Sequence, residues 1–331
     1  MARTVAAHAW RASTPEAIEL DLAALWRQIG HGEAAIARAV MSNLVVFRKH
    51  MDVPDAELTR VTANLPLDEV AARHPSRLIV LEHSYDQAAP GAPFAAGVGI
   101  VTFGPPQARY GVEQIVVRSA CAEQSLPSIL RRLVRGDVPT TVWWTEDLSE
   151  RPPLDALITI GRQLLYDSRG WRDVRRGVAA LAPLVASRRV DLADLNWRRL
   201  APLRQALIYA RGPLDSASWQ DAEVRVLHGP GEAPLAWLLA GWLHAGRRNA
   251  DTSIARVEPS PGDGPRLTVV TGDMTAIQTK RTVEITSGSA PPLVLAMPIE
   301  SDADAVAAEL RVLSRDASLD AALDALMRVY N

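Results

Sequence analysis

Seven histidines, one cysteine and a few Asp, Glu and Arg side chains at strand ends are the groups through which this chain could do chemistry. Their spacing matches no common catalytic constellation. No GxGxxG follows a strand, and no GxxxxGK[ST] loop exists to cradle phosphate. The nearest candidate, HGPGEAP (228–234), joins a strand to a helix, but Pro230 and Pro234 remove amide donors that a phosphate would need. It reads as a plain turn. There is no HExxH and no histidine pair at i, i+4, so a histidine metal site is not expected. No GxSxG elbow is present. His83 ends a strand, where open α/β sheets carry ligands. Cys121 opens a helix, where a thiol could be acidified, or it is a small buried residue. Asp167-Ser168-Arg169-Gly170-Trp171 joins a strand to a helix. Either it is a capping turn with Ser168 as N-cap and a local Asp/Arg pair, or it is a recognition edge shared with Trp144, Thr145 and Glu146. His74-Pro75-Ser76-Arg77 precedes its strand and so belongs to the opposite edge, where Arg77 could hold a carboxylate or phosphate.

The elements that must position these groups follow from periodicity. Thr14-Pro15-Glu16 starts a helix whose Ile18, Leu22, Leu25, Trp26 and Ile29 share a face, and Gly30 ends it. NLVVF (43–47) is a strand. A helical segment from about 55 to 73, interrupted before Pro66, leads to the strand LIVLE (78–82). Strands near 95–103 and 112–118 flank a Gly/Pro turn region and could form an antiparallel edge. Leu126, Ile129, Leu130, Leu133 and Val134 form a helical stripe. A strand after Pro139, a helix near 154–161, the strand LLYD (164–167) and a helix near 171–186 follow. This alternation predicts an α/β domain with a mostly parallel, doubly wound-like sheet and helices on both faces, over 1–187. Residues 188–331 read as a smaller α+β domain. It has a helix around Pro202, a strand at 224–228 and an apolar helix at 234–246. Three or four strands across 252–296 and two closing helices complete it.

The chain has 331 residues, enough for two domains with a sizeable core. Its 36 basic and 38 acidic residues leave a formal charge of −2, so no basic field points to nucleic acid. Cys121 is the only cysteine, which excludes an internal disulfide or a cysteine metal cluster and fits a reducing compartment. No signal-like or membrane-length apolar run appears, and a cytoplasmic protein without membrane attachment is expected. Nine tryptophans against three phenylalanines are the compositional anomaly. Trp143 and Trp144 close one strand, so they face opposite sides of the sheet, as core or as anchors for a partner.

Several segments, in order, resemble one family: HPSRLIVLE, GVEQIVV, LVRGDVPTTVWW, LLYDSRGW, DLADLNWRRLAPLRQAL and LAWLLAGWL. The series is similar to OpcA, the glucose-6-phosphate dehydrogenase assembly proteins of bacteria, over roughly residues 35–330. The resemblance implies a non-catalytic assembly factor or allosteric activator that binds glucose-6-phosphate dehydrogenase, favours its active oligomer and supports NADPH supply through the oxidative pentose phosphate pathway. It implies no cofactor and no catalytic or metal residue. Its family-like positions here are Arg77, Trp143, Trp144, Asp167, Ser168, Arg169, Trp171, Asn196 and Trp197, as partner contacts or as holders of the fold. Cyanobacterial members are associated with redox control through cysteines; with Cys121 alone, this chain has no intramolecular thiol switch. The alternative is an enzyme, or a sensor of sugar phosphate or nucleotide, using His83, Asp167 and Arg169 at the carboxyl edge of the first sheet. The identity of any small-molecule ligand is left open by the residues.

Overall fold

A computed structural model describes residues 3–30, 36–49, 65–84, 94–105, 107–220, 222–246, 255–262 and 264–330. The expected helix start near 55, the Gly/Pro turn before 94 and the first residues of the 252–296 strands lie outside them, as does the Trp10 side chain. The chain divides into two compact units. One comprises Met1–Glu146, Pro153–Tyr166 and Ser301–Leu313; the other comprises Asp147–Pro152, Asp167–Glu300 and Ser314–Asn331.

The first unit is α/β. Its strands are β1 (Arg3–Ser13), β2 (Ile36–Arg38), β3 (Ser42–Lys49), β4 (Ser76–His83), β5 (Phe94–Phe103), β6 (Arg109–Ser119), β7 (Thr140–Trp144) and β8 (Gln163–Tyr166). They lie in the order β1-β5-β6-β4-β3-β7-β8, with β2 beside β6. Strands β6, β4, β3, β7 and β8 are mutually parallel. Renumbered in chain order, those five run 3-2-1-4-5, the doubly wound arrangement with its switch point between β3 and β7. All eight residues of β4 are buried, as a strand covered on both faces requires. Strand β5 is antiparallel to β6, and β1 pairs beyond it, so β1 forms the margin that the sequence places at 95–118. Strand β1 gives no sequence signal because RTVAAHAWRAS lacks a run of β-branched residues.

The helix Pro15–Gly30 starts where its cap predicts: the Ala17 amide donates to Thr14 Oγ1 at 3.2 Å, and Ile18, Leu22, Leu25 and Ile29 are buried. The helix Leu126–Leu133 buries Leu126, Leu130 and Leu133. The helix expected near 154–161 is a single turn, Asp155–Ile158. Pro152 and Pro153 precede it and Gly161 follows it, leaving no room for more.

The second unit is α+β. After β9 (Asp191–Asp194), a mixed sheet contains β10 (Arg225–His228), β11 (Arg256–Pro259), β12 (Leu267–Thr271), β13 (Met274–Gln278), β14 (Thr282–Ser287) and β15 (Leu293–Ala296). Its order is β11-β10-β12-β13-β14-β15, parallel between β10 and β11 and antiparallel elsewhere. The segment up to 296 therefore holds five strands, β11 to β15, rather than three or four. Helices Ala201–Arg211 and Ala233–Ala245 pack on this sheet, and Ala317–Tyr330 packs on Ala233–Ala245. That last contact needs Gly241, where a Cβ would lie 2.6 Å from the Ala322 carbonyl oxygen.

Candidate functional site

In doubly wound sheets, ligands lie beyond the carboxyl ends of the strands at the switch point. Here β3 and β7 meet there, with Phe47 opposite Trp144 in parallel register. Paired positions on adjacent strands share a face, and the two rings stack with centroids 4.0 Å apart and planes 2° from parallel. Trp144 is 1% exposed and Trp143, on the other face, 6%. Both tryptophans are thus covered by this chain. The Trp144 indole N–H is buried without an acceptor, so its ring is held by packing. Trp144→Ala is expected to cost about 3–5 kcal/mol, the usual penalty for emptying a large aromatic site. Urea denaturation measures it, and a loss under about 1 kcal/mol would refute the packing role.

The two strand ends stay bridged past the ladder. The Thr145 hydroxyl donates to the Phe47 carbonyl at 2.8 Å, and the Lys49 amide donates to Glu146 Oε1 at 2.8 Å. In a dinucleotide site, amides after the first strand meet phosphate oxygens. Here a carboxylate of the chain takes the amide at the end of β3, and its charge opposes a phosphate at that point. His83 ends β4 and is fully buried; burial holds its imidazole below the usual range, with Glu123 and a Ser119 backbone hydrogen bond opposing. Cys121 is buried, with its Sγ 2.7 Å from Ser119 Oγ.

At the opposite edge, Arg77 is 1% exposed and enclosed by carboxylates of its own unit. Its Nη1 lies 3.0 Å from Glu113 Oε2, and its Nη2 pairs with Glu19. Glu113 also accepts from Trp26 Nε1 at 2.8 Å. The carboxylate that Arg77 holds is therefore internal.

The second unit gathers the remaining motif residues. Asp167 caps the turn Ser168–Gly170, accepting from the Arg169 amide at 3.0 Å, so Asp167 fills the N-cap place expected of Ser168. The helix after it begins at Val174, capped by Asp173. Arg199 grips Asp167 through two parallel hydrogen bonds of 2.9 and 3.0 Å, and Arg169 Nη2 lies 3.2 Å from the same carboxylate. Beneath this pair is Asp194. One of its oxygens accepts the Ser168 amide at 3.1 Å and the Asn196 amide at 2.8 Å. Its pKa is pushed up to about 7, first by burial and then by the nearby Asp167 charge, against the pull of those amides. Trp171 presses on Gly177, where a Cβ would lie 2.4 Å from the ring. Trp197 donates to Asp316 at 2.8 Å under the Arg204 guanidinium, which sits 3.6 Å from its ring centre.

The structure thus brings Asp167, Ser168, Arg169, Asn196 and Trp197 into one unit through the loops after β8 and β9 (Trp171 lies on the same loop). Arg77, Trp143 and Trp144 lie in the other. Among these nine, Arg169 is the exposed side chain, Asp167 is half-buried and the rest are buried. Sequence reading missed Asp194, Arg199, Glu113 and Phe47. Asp194 carries a local signal, since an Asp two residues before Asn196 is a capping position; the others are brought in by tertiary pairing. The HGPGEAP turn is closed by Glu232 and Arg266, joined by bonds of 2.7 and 2.9 Å. Among the described residues, no group of three or more His, Cys, Asp or Glu is placed to hold a metal. No helix among them is long and apolar enough to cross a membrane.

Fold and site define a two-unit protein: a doubly wound α/β unit bridged at its switch point by its own side chains, and an α+β unit knit together by part-buried Asp–Arg and Trp–Asp pairs. The chain belongs to the OpcA family of glucose-6-phosphate dehydrogenase subunits. Residues 67–183 match the glucose-6-phosphate dehydrogenase subunit N-terminal domain, and residues 190–323 match the C-terminal domain. No curated protein matches. Among solved structures, the chain is similar to the UDP-N-acetylglucosamine 3-dehydrogenase GnnA from Acidithiobacillus ferrooxidans, with 14% identity over 88% of this chain and 97% of that one, and a TM-score of 0.39. It is also similar to biliverdin reductase from Synechocystis sp. PCC 6803, with 13% identity over 86% and 96%, and a TM-score of 0.42. Likenesses this distant carry no argument about activity.

Proposed function

We propose that this chain is a non-catalytic, cytoplasmic assembly factor that binds glucose-6-phosphate dehydrogenase and shifts it toward its active oligomer. The observation that carries this is the family match in both halves of the chain. The Glu146 carboxylate on the Lys49 amide supports it, because it opposes phosphate binding where a nucleotide-using enzyme of this topology needs donors. That same contact argues against the enzyme or sugar-phosphate sensor reading. The factor acts without a cofactor, by preferring one state of the dehydrogenase; a tenfold preference corresponds to about 1.4 kcal/mol. Such activation feeds the oxidative pentose phosphate pathway.

Mixing the purified proteins tests this. A complex on gel filtration and a change in dehydrogenase kinetics or oligomer size are expected. Co-elution of neither, with unchanged kinetics, refutes it. Within this reading, Arg169 is the motif side chain open to a partner. Arginine is enriched at interface hot spots. Arg169→Ala is expected to weaken dehydrogenase binding by roughly tenfold while thermal stability stays within a degree or two of the parent. Equal binding by the variant would remove Arg169 from the interface.

A further inference from the structure

The helix Ala201–Arg211 packs on β13 and β14 of the second unit, with Leu203, Ala206 and Leu207 buried. At about 3.6 residues per turn, its outer side carries Arg204, Ile208 and Arg211 in one row, with Ala201, Gln205 and Tyr209 beside it. Tyr209 is 79% exposed and Ile208 42%. Tyrosine, tryptophan and arginine are the side chains most enriched at interface hot spots.

Arg204 is the exception among the half-buried arginines of this unit. Arg198, Arg199, Arg266 and Arg315 each grip a carboxylate, and Arg211 donates to the Thr271 carbonyl. Arg204 instead stands over the Trp197 ring, 3.6 Å from its centre, with the Trp242 ring at 5.9 Å. Its Nε is buried without an acceptor among the described residues. Asp316, the carboxylate whose field reaches it, is already spent: it accepts from Trp197 Nε1 at 2.8 Å and from the Ser318 and Leu319 amides at 2.9 and 3.0 Å. Burial holds the guanidinium at about 10, below the usual arginine range, against the opposing pull of Asp316. A cation fixed on an aromatic face has given up rotamer freedom before a partner arrives, which lowers the cost of binding one.

Charge selects the occupant. The stretch 195–211 holds Arg198, Arg199, Arg204 and Arg211 and no Asp or Glu. The turn between β13 and β14 adds the exposed Lys280 and Arg281, and Gln278 ties it to the start of this helix by donating from Nε2 to the Arg199 carbonyl at 3.0 Å. Of the carboxylates at that end, Glu300 is held by Arg198 and Asp167 by Arg199. Asp215 follows the helix at its other end, where Asp273 shares a turn with Thr271, the residue that Arg211 meets. Two copies of such a face would set arginine against arginine, which an isologous contact cannot tolerate. A free anion on Arg204 would leave Ile208 and Tyr209 uncovered. We infer that this helix face docks an acidic surface of the dehydrogenase, with a partner carboxylate seated on Arg204 and partner side chains covering Ile208 and Tyr209. The inference rests on the partnership proposed above and gives it a place on this chain.

Isothermal titration calorimetry of the full chain against the dehydrogenase, over a range of salt, tests this. The parent's affinity is expected to fall as salt rises. Arg204→Gln is expected to bind about tenfold more weakly, or worse. Tyr209→Asp and Tyr209→Arg place opposite charges at one exposed position, and the aspartate variant is expected to bind at least about tenfold more weakly than the arginine variant. Matching circular dichroism and melting curves show that the variants fold; should Arg204→Gln melt early, the Tyr209 pair alone decides. Arg204→Gln folded and with parental affinity overturns the inference, and so do Tyr209 variants of equal affinity. A parent that binds while all three variants match it overturns this inference and leaves the assembly reading standing. A parent that binds no dehydrogenase removes both.

Discussion

Asp194→Asn is expected to be more stable than the parent above pH 7 and to lose that advantage in acid. Asp194 is 2% exposed and burial pushes its carboxyl up to about 7 from an ordinary 3.8. The folded state therefore holds its proton at pH values where the unfolded chain has released it. The stability that the protonated carboxyl contributes is complete below about pH 4 and is lost as pH rises through about 7. Moving the carboxyl from 3.8 to about 7 corresponds to about 4 kcal/mol. The groups around Asp194 explain the size. Asp167 adds a second negative charge, and Arg199 spends both of its parallel hydrogen bonds on Asp167. Asparagine keeps an oxygen for the Ser168 and Asn196 amides and carries no charge. Urea denaturation at pH 5, 7 and 8.5 should show the variant-minus-parent difference rising by about 3 kcal/mol across the range, the rest of the change lying below pH 5. Parallel pH profiles for the two proteins would mean that Asp194 is not the titrating group.

Removing Arg77 should change stability by a comparable amount in the opposite direction. Arg77→Met leaves Glu113, itself 1% exposed, with the partly exposed Arg38 as its remaining ionic partner. Breaking a buried pair from one side costs about 3–5 kcal/mol, because the remaining ion keeps its desolvation penalty; Arg38 on Glu113 offsets part of it and sets the expected loss at the lower end, about 3 kcal/mol. The double variant Arg77→Met/Glu113→Gln should recover part of that loss, since it removes a buried charge that Arg38 alone compensates. The recovery stays partial because Glu113 also accepts from Trp26, and glutamine keeps that acceptor but not its charge. A double-mutant cycle in urea gives the coupling. Arg77→Met with parental stability and lost dehydrogenase binding would move Arg77 from the core to the interface. Additive costs in the cycle would show the pair to be uncoupled.

Much of the fold was legible because burial on two faces leaves a local imprint. NLVVF and LIVLE read as strands without alternation, which is what parallel strands covered on both sides must look like. The helix from Pro15 was legible through Thr14 and its i, i+3, i+4 stripe. Elements without such an imprint were missed. β1 is alanine-rich and gains its place by pairing with β5, and β2 is three residues long.

The motif residues divide in the same way. The chain order of HPSR, VWW, DSRGW and LNW was enough to indicate the family, and the absence of a P-loop, a zinc motif or a nucleophile elbow followed from residue types alone. What each side chain touches was not written locally. Arg77 meets Glu113 across 36 residues of chain, Trp144 meets Phe47 across 97, and Arg199 meets Asp167 across 32. A recognition arginine and a buried structural arginine have the same letter, and so do an anchor tryptophan and a core tryptophan. The sequence by itself determined most of the strands and helices, the family and the charges available. The tertiary structure alone decided which charges are already neutralised by internal partners, because burial and pairing arise only when distant segments pack.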